Sequence, residues 1–584
     1  MARLENLQRV SIPNEVLLSP VLGPGSTNLY FASNRGGSSF RIWRQSQDGS
    51  GSQPLTPAES DAFDLDISSD GAWLAYWSSR NGGGLYQLSA AGGDELLITS
   101  QGRSPRFSPT GDRIVFWKEN RVTGFGSAYW SGIKQGQHDR EPQPVVNDFD
   151  DAHTPQWTRD GLVILCGTRK TNIPEMEHDL WIVDAGGAGS KSTRIKTGIL
   201  PFLKKRGINP HQRALPFTPF RFWNDDLIFA GMKQGKTALY ALRLSPQDWR
   251  PQSEPVLLHE GLESDDTPYV RDSKVAFVST QSNLNIWGIP LSVEGTASGA
   301  AQRLTEDGGD EFFPAVSLDG RVLVFVAWRP PNYQLWRKNL GAGVEEELLR
   351  TDDMKYLSLN AQGSKAVFRS MAGSFPQQQQ IHSLDLATRQ SSLTCANCGS
   401  PTSISPDGQF ILHETGSQVA RLAVLHVSSG RRQEILRHPN HPVQGARFSP
   451  DGKWLVFELD KGADGTQILA APFRGLTDIP PTSWTELTDQ RSSNFGPAWG
   501  PDGTSVYFLS ERAGTRDLSM QKLDGKTKRA VGEAHPIYRF SNPSLTPLTY
   551  HVRPRRYVGL SVGKGRAALT LSELSSKVGI GRLQ

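Results

Sequence analysis

Short apolar runs recur along the whole chain, each introduced by a tight polar turn, and the best-formed example is GARFSPDGKWLVFEL at 445–459. It reads as two β-strands joined by one turn. Pro450 presets φ at the first central position of that turn, Asp451 tolerates the second, and Gly452 takes the left-handed conformation that follows. Trp454-Leu455-Val456-Phe457 is then almost continuously apolar, the pattern of a strand buried on both faces. A single hairpin cannot bury two faces. Similar units must flank it, and the period at which they recur decides the fold.

The turn and its following strand return as GSTNLYFASNR from Gly25, SSDGAWLAYW from Ser68, SPTGDRIVFW from Ser108, TRDGLVIL from Thr158, WNDDLIFA from Trp223 and RDSKVAFV from Arg271. They continue as SLDGRVLVFV from Ser317, NAQGSKAVFR from Asn360, SPDGQFILH from Ser405, SPDGKWLVFE from Ser449 and GPDGTSVYFL from Gly500. Measured from the turn acid or its equivalent, Asp70 through Asp502, the spacings are 40, 50, 65, 47, 47, 43, 45, 44 and 51 residues. A period of about 45 is that of four-stranded propeller blades. Between turns lie a run ending in an aromatic and an aliphatic, such as FRIWRQ from Phe40 or DLWIV from Asp179, and a further short strand such as QPLT from Gln53. Four strands per repeat exclude a helical solenoid. No stretch sustains helical periodicity with caps, so very little helix is expected.

SPDGKWLVF, SPDGQFIL and GPDGTSVYFLSERAG, each preceded by a proline or small residue and an aromatic, resemble the repeats of the TolB-like, WD-like β-propeller family, over nearly the whole chain. The resemblance implies an all-β chain of tandem β-propellers, a fold that serves as scaffold for many roles. Thr110 and Gln362 replace the turn acid, and the units at Trp223 and Arg271 lack the glycine. Eleven units exceed the blades of one ring. YVGLSVGKGRAALTLSEL, from Tyr557, supplies two further alternating strands and a degenerate twelfth unit. Two six-bladed rings of four-stranded blades then fit the 584 residues, as an N-terminal propeller over 1–298 and a C-terminal one over 299–584, divided near the small-residue stretch 294–299. A seven-plus-five division is the alternative.

Hydrophobic residues make up 37% and charged residues 21% of the chain, with 58 glycines and 38 prolines concentrated in turns, the composition of a folded globular protein. A net charge of +4 implies nothing strong about partners; a nucleic-acid binder concentrates its positive charge, and no nucleic acid is expected. Two stretches do so modestly: the insertion 191–213, KSTRIKTGILPFLKKRGINPHQR, and the tail from His551 with Arg553, Arg555, Arg556, Lys564 and Arg566. Both read as solvated loop and edge strand, with a docking surface for an acidic partner as the alternative, and the apolar GILPFL suits a loop packed over a ring mouth. The N-terminal MARLENLQRVSIPNEV has no secretory h-region, and no run approaches the ~18 apolar residues of a membrane span. A soluble cytoplasmic chain is expected, or a periplasmic one if the chain is a module of a larger protein.

Three cysteines make no disulfide framework. Cys166, within VILCGT, reads as a small buried hydrophobe. Cys395 and Cys398 form a CxxC and precede Asp407 by 12 and 9 residues, while His438 and His441 precede Asp451 by 13 and 10. The two pairs thus occupy equivalent loops of adjacent units. A zinc site from Cys395, Cys398, His438 and His441 is one reading and an unmetallated surface loop the other; the two residues between the histidines are fewer than zinc fingers use.

The same register picks out a ring mouth. Residues just before each turn strand lie on the innermost strand or the loop leading into it. For the first ring these are Asp61, Asp64, Arg103, Asp150, Asp151, His153, Asp265 and Asp266, with Asp310 and Glu311 opening the next unit. Converging carboxylates destabilise one another unless solvated, paired or neutralised, so this is either a binding funnel for a cation such as calcium, an amine or a basic peptide, or a set of hydrated acids at strand starts.

Gly559-Leu-Ser561-Val-Gly563 matches the nucleophile-elbow pattern of α/β-hydrolases, but only 21 residues follow and they contain neither Asp nor His. The mechanism needs both, so the match is read as chance. Together these features point to a non-catalytic propeller scaffold, with no resident cofactor, that binds a protein or peptide segment or a small cationic ligand. The alternatives are a hydrolase or lyase working at the acidic mouth of the first ring, and a sensor module whose effector lies elsewhere.

Overall fold

The turn chemistry read from the sequence is what the chain adopts. In the computed structural model Gly452 has φ +70°, Ser449 Oγ donates to Asp451 Oδ1 at 2.6 Å, and that oxygen accepts the Lys453 N–H at 3.1 Å. The Trp454 N–H donates back to Ser449 Oγ at 2.9 Å and starts the buried strand. The same arrangement recurs at Ser68/Asp70, Ser317/Asp319 and Ser405/Asp407. Where Thr110 replaces the acid, Asp112 takes over and accepts from Ser108 Oγ at 2.9 Å. The structure describes residues 3–584 apart from 11–14, 36–38, 59, 81–82, 120–125, 135–136, 139–140, 171–177, 186–192, 210–219, 234–235, 262–263, 307–308, 373–377, 416–419, 462–464, 490–491, 513–514, 543 and 548–558.

Antiparallel sheets cover 17–54, 62–99, 103–144, 149–196 and 220–259 in the first half, and 310–351, 355–396, 401–436, 443–486 and 493–539 in the second. The remaining sheet is built on two long strands, Lys274–Pro290 and Arg566–Leu583, paired antiparallel along the full length of the first. This ribbon, roughly 55 Å long by strand rise, carries two blades end to end. At one end it is flanked by Ser264–Arg271 inside and Leu4–Val10 outside. At the other it is flanked by Ser561–Gly563 and Gln302–Arg303. Each end completes a ring of six blades.

Packing closes both rings through the ribbon. Ala276, Val578 and Ile580 join the core of the first blade with Leu17, Leu29 and Tyr76. Ile289, Leu569 and Leu571 join that of the last blade with Phe495, Tyr507 and Met520. The division expected at 298/299 is therefore corrected. The chain crosses between rings inside the single strand Lys274–Pro290, and its last residues return to close the first ring. The stretch 294–299 follows that strand, bridged at Leu291 and Ala297, and leads to Gln302–Arg303 on the same blade.

The register also orients the rings. The inner strand Ser264–Arg271 starts opposite Thr280 and ends opposite Lys274, at one tip of the ribbon. The inner strand Ser561–Gly563 ends opposite Arg566, at the other tip. Both inner strands thus begin toward the middle of the ribbon, one on each of its two strands. Among the described residues of the insertion, the helix Ile199–Lys204 does not cover a mouth. Its Ile199 and Leu203 are buried with Ile164, Leu180, Phe220 and Leu227, wedged between the fourth and fifth blades.

Because the first ring is closed by the C-terminal strand, deleting Lys577–Gln584 should leave its blades open while the second ring persists. Hydrogen exchange of the full chain and the truncation should show protection lost over 17–271 and retained over 310–523; uniform protection would refute this account of closure.

Candidate functional site

Most inner strands carry a β-bulge at the same place, marked by a register break such as Phe63/Asp66, Arg103/Arg106 or Gln444/Arg447. The bulged residue has positive φ: Asp64 +63°, Ser104 +50°, Thr154 +48°, Gly445 +65° and Gly496 +65°. A bulge re-aims the side chain that follows it. Here it aims into the ring channel the residue two positions before the turn serine. In the first ring that position holds Val21, Asp66, Arg106, Gln156, Arg221 and Tyr269.

These first-ring groups neutralise one another. Arg221 Nη2 lies 3.3 Å from Asp66 Oδ1, its Nη1 donates to Gln156 Oε1, and its guanidinium sits 5.3 Å from the Tyr269 ring centre. Arg106 lies 3.6 Å from Asp64 and donates to the Pro105 carbonyl at 2.6 Å. Burial, and then the neighbouring Arg106, draw the Arg221 pKa down to about 10. These contacts link the channel residues of the first ring into a polar network.

The expected mouth residues are largely committed to the fold. Asp61 is buried, accepts the Phe40 N–H at 2.8 Å and forms an ion pair with Arg516 of the second ring at 2.9 Å. It ties ring to ring. Asp64 accepts the Ser104 N–H at 2.7 Å. Arg103 stacks 4.0 Å over the Trp77 ring. Asp150 is exposed. Asp151 accepts the Gly126 N–H at 2.6 Å and lies 3.2 Å from His153 Nδ1, while His153 is 1% exposed beside the Trp117 indole. Burial alone would raise the Asp151 pKa, but the hydrogen bond and charge of His153 hold it below the usual carboxylate range. Asp265 and Asp266 pair with Ser279 and Val278, and their side chains lie outside the described residues.

Asp310 and Glu311 belong to the second ring. Asp310 accepts the Leu284 N–H at 3.3 Å, at the middle of the ribbon. Glu311 is wholly buried and hydrogen-bonded to Thr305 Oγ1, and burial pushes its pKa up to about 7. The acids of one expected funnel are thus divided between two rings.

The zinc reading is corrected. Cys395 and Cys398 form a disulfide with Arg432 against both sulfurs, which removes the thiolates zinc requires. His438 and His441 pack on each other with ring centres 4.8 Å apart. Among the described residues no three His, Cys, Asp or Glu side chains gather as a metal site. Cys166 is buried and free. Ser561, of the elbow-like motif, lies in an inner strand and accepts the Val316 N–H at 2.9 Å. In the basic tail, 551–556 lie outside the described residues.

The channel residues escape a reading that starts from charge clusters. Their signal is positional, since each stands two residues before a turn serine or its equivalent, as in Arg106-Phe107-Ser108 and Arg447-Phe448-Ser449.

No protein-family model matches the chain. A structure assigned to TolB of Agrobacterium tumefaciens is similar at 16% identity and TM-score 0.38, covering 50% of this chain and 99% of that one. The chain is a tandem β-propeller of four-stranded antiparallel blades. The tandem propeller is also 26% identical over 192 residues to the uncharacterised protein Atu1656 of Agrobacterium fabrum, covering 33% of this chain and 59% of that protein. It is 29% identical over 110 residues to tricorn protease homolog 1 of Streptomyces coelicolor, covering 19% of this chain and 10% of that protein. It therefore spans less than two thirds of either relative. No helix among the described residues is long and apolar enough to cross a membrane.

Replacing Arg516 by Ala strands Asp61 as a buried charge and should cost about 3 kcal/mol; urea denaturation measures the loss, and small-angle scattering should show the rings moving apart. Glu311 sets a pH dependence. Its folded pKa of about 7 exceeds its ordinary 4.5, so the folded state holds the proton more tightly than the unfolded chain. Stability is full below pH 4.5 and falls as pH rises through about 7, by on the order of 2–3 kcal/mol. Glu311→Gln should flatten this dependence in denaturation curves compared at pH 5 and pH 8.

Proposed function

We propose that this tandem propeller is a non-catalytic scaffold that receives a protein or peptide segment at the mouths of its two rings. The observation that carries the reading is the shared ribbon, toward whose middle both inner-strand entrances lie. The Asp61–Arg516 ion pair ties the two rings together. Rigid blades fix the separation of the mouths, so a segment reaching both meets two preorganised surfaces and little ordering entropy is lost. On the first mouth Arg103, flat on Trp77, offers a cationic and aromatic face, and Asp150 an exposed carboxylate for a basic side chain.

A hydrolase or lyase at this mouth would draw on Asp151 and His153. His153 is enclosed at 1% exposure and Asp151 is held by the Gly126 N–H, so the pair serves the bulge more readily than a substrate. The Cys395–Cys398 disulfide fits an oxidising compartment such as a periplasm.

A photo-reactive phenylalanine analogue in place of Arg103 should cross-link a partner in cells that express the protein natively. The same analogue in place of exposed Leu257, on the outer strand Val256–His259, should not. Equal labelling at both positions, or turnover of a peptide or glycan substrate that His153→Gln abolishes, would overturn the scaffold reading.

A further inference from the structure

The channel of the second ring differs from that of the first in one respect. Its bulge-directed positions hold Ala315, Ser358, Ser403, Arg447, Ala498 and Ser561. Arg447 is thus the one cation at this level, and no carboxylate stands at an equivalent position beside it. In the first ring each channel arginine has its own acid, Asp66 for Arg221 and Asp64 for Arg106. Among the described residues, no ion pair or side-chain hydrogen bond is found for the Arg447 guanidinium. Burial lowers its pKa, and Glu458, whose Oε1 accepts the Gly496 N–H at 2.8 Å, attracts it only at longer range.

The surrounding hydroxyls are arranged as donors. Ser358 Oγ accepts the Ile404 N–H at 3.3 Å, Ser403 Oγ the Phe448 N–H at 3.2 Å, and Ser561 Oγ the Val316 N–H at 2.9 Å. Each bond stitches one blade to the next through an oxygen lone pair, and leaves the hydroxyl proton to be donated elsewhere. Ala315 and Ala498 keep the remaining positions small, and a cavity of about 100 Å³ results. Its outer rim is formed by turn residues, Leu318, Ala361, Pro406 and Pro450, so it opens at the end of the second ring where the inner strands finish.

We propose that this cavity is an oxyanion-binding site in which the Arg447 guanidinium and the hydroxyls of Ser358, Ser403 and Ser561 hold a phosphate or carboxylate group. The guanidinium supplies charge and a planar fork of donors, and the serines supply neutral donors from three other blades. The apolar rim suits a ligand that carries its anionic group on an uncharged body. The site lies at the opposite end of the ring from its inner-strand entrances and stands or falls independently of the scaffold reading.

The test titrates the full chain with sodium phosphate and with sodium acetate against sodium chloride at matched ionic strength, following thermal unfolding and the heat of binding. A saturable rise in Tm with phosphate or acetate, absent with chloride, is expected. A preference for phosphate marks the ligand as a phosphate ester, and one for acetate as a carboxylic acid. Arg447→Met should weaken binding by about tenfold or more, while Arg250→Gln, at an exposed arginine on the fifth blade of the first ring, should leave it unchanged. Should R447M fail to fold, Arg447→Lys, which keeps the charge and loses the fork, should bind several-fold more weakly than the parent. No saturable effect with either oxyanion, or equal binding by the Arg447 variants, overturns the proposal.

Discussion

Both rings depend on one antiparallel ribbon. An open ring of blades presents an unpaired strand edge at each end, which invites pairing with other chains and leaves one blade interface bare. Here the strands Lys274–Pro290 and Arg566–Leu583 serve two blades at once, so a single continuous pairing removes the edges of both rings. The close packing this requires shows at two glycines. A Cβ on Gly579 would sit 2.5 Å from the Phe277 ring, and one on Gly581 2.4 Å from Leu4, the strand that covers the ribbon from outside. Any side chain at either position would press strands of the ribbon's own sheet apart.

The second organising device is the bulge that most inner strands share. Non-glycine residues held at positive φ, such as Ser104, Thr154 and Phe313, carry backbone strain that the neighbouring strands must offset. The return is control over what faces the channel. The same backbone frames a channel crossed by ion pairs in the first ring and a small cavity in the second. The difference lies in the side chains two residues before each turn: Asp66, Arg106, Gln156, Arg221 and Tyr269 with Val21 against Ser358, Ser403, Ser561, Arg447 and two alanines. Where acids accompany arginines the network satisfies itself. Where hydroxyls do, the cation keeps its donors.

The blades were legible because their signals are local. A turn such as Ser449-Pro-Asp-Gly452 hydrogen-bonds within itself, so its chemistry survives in sequence and its period counts the rings. Closure was not legible, because the partner of 274–290 lies almost three hundred residues away and shares with it only apolar alternation. Turns and linkers also have the same composition, which makes 294–299 look like a domain boundary. The mouth acids were found by register, but their partners are remote: Arg516 stands 455 residues from Asp61. A carboxylate with such a partner reads in sequence like a free one. The CxxC offered zinc and disulfide equally until geometry joined its two sulfurs.

Closure by the chain's last strand also constrains how the protein folds. The blades at 17–259 are made first, yet their ring lacks its closing strands until 575–583 have been synthesised. Lys274–Pro290 cannot pair along its length before Arg566–Leu583 exists, so neither ring closes until then. Long-range pairings of this kind are slow because loop entropy is lost before the contacts form. The second ring's five independent sheets lie between the two ribbon strands, and their folding draws 290 and 566 together. That shortens the effective loop and lets the ribbon zip toward the first ring. The order of the chain therefore favours second-ring closure before the first, and makes the N-terminal blades dependent on a C-terminal strand for their final edge.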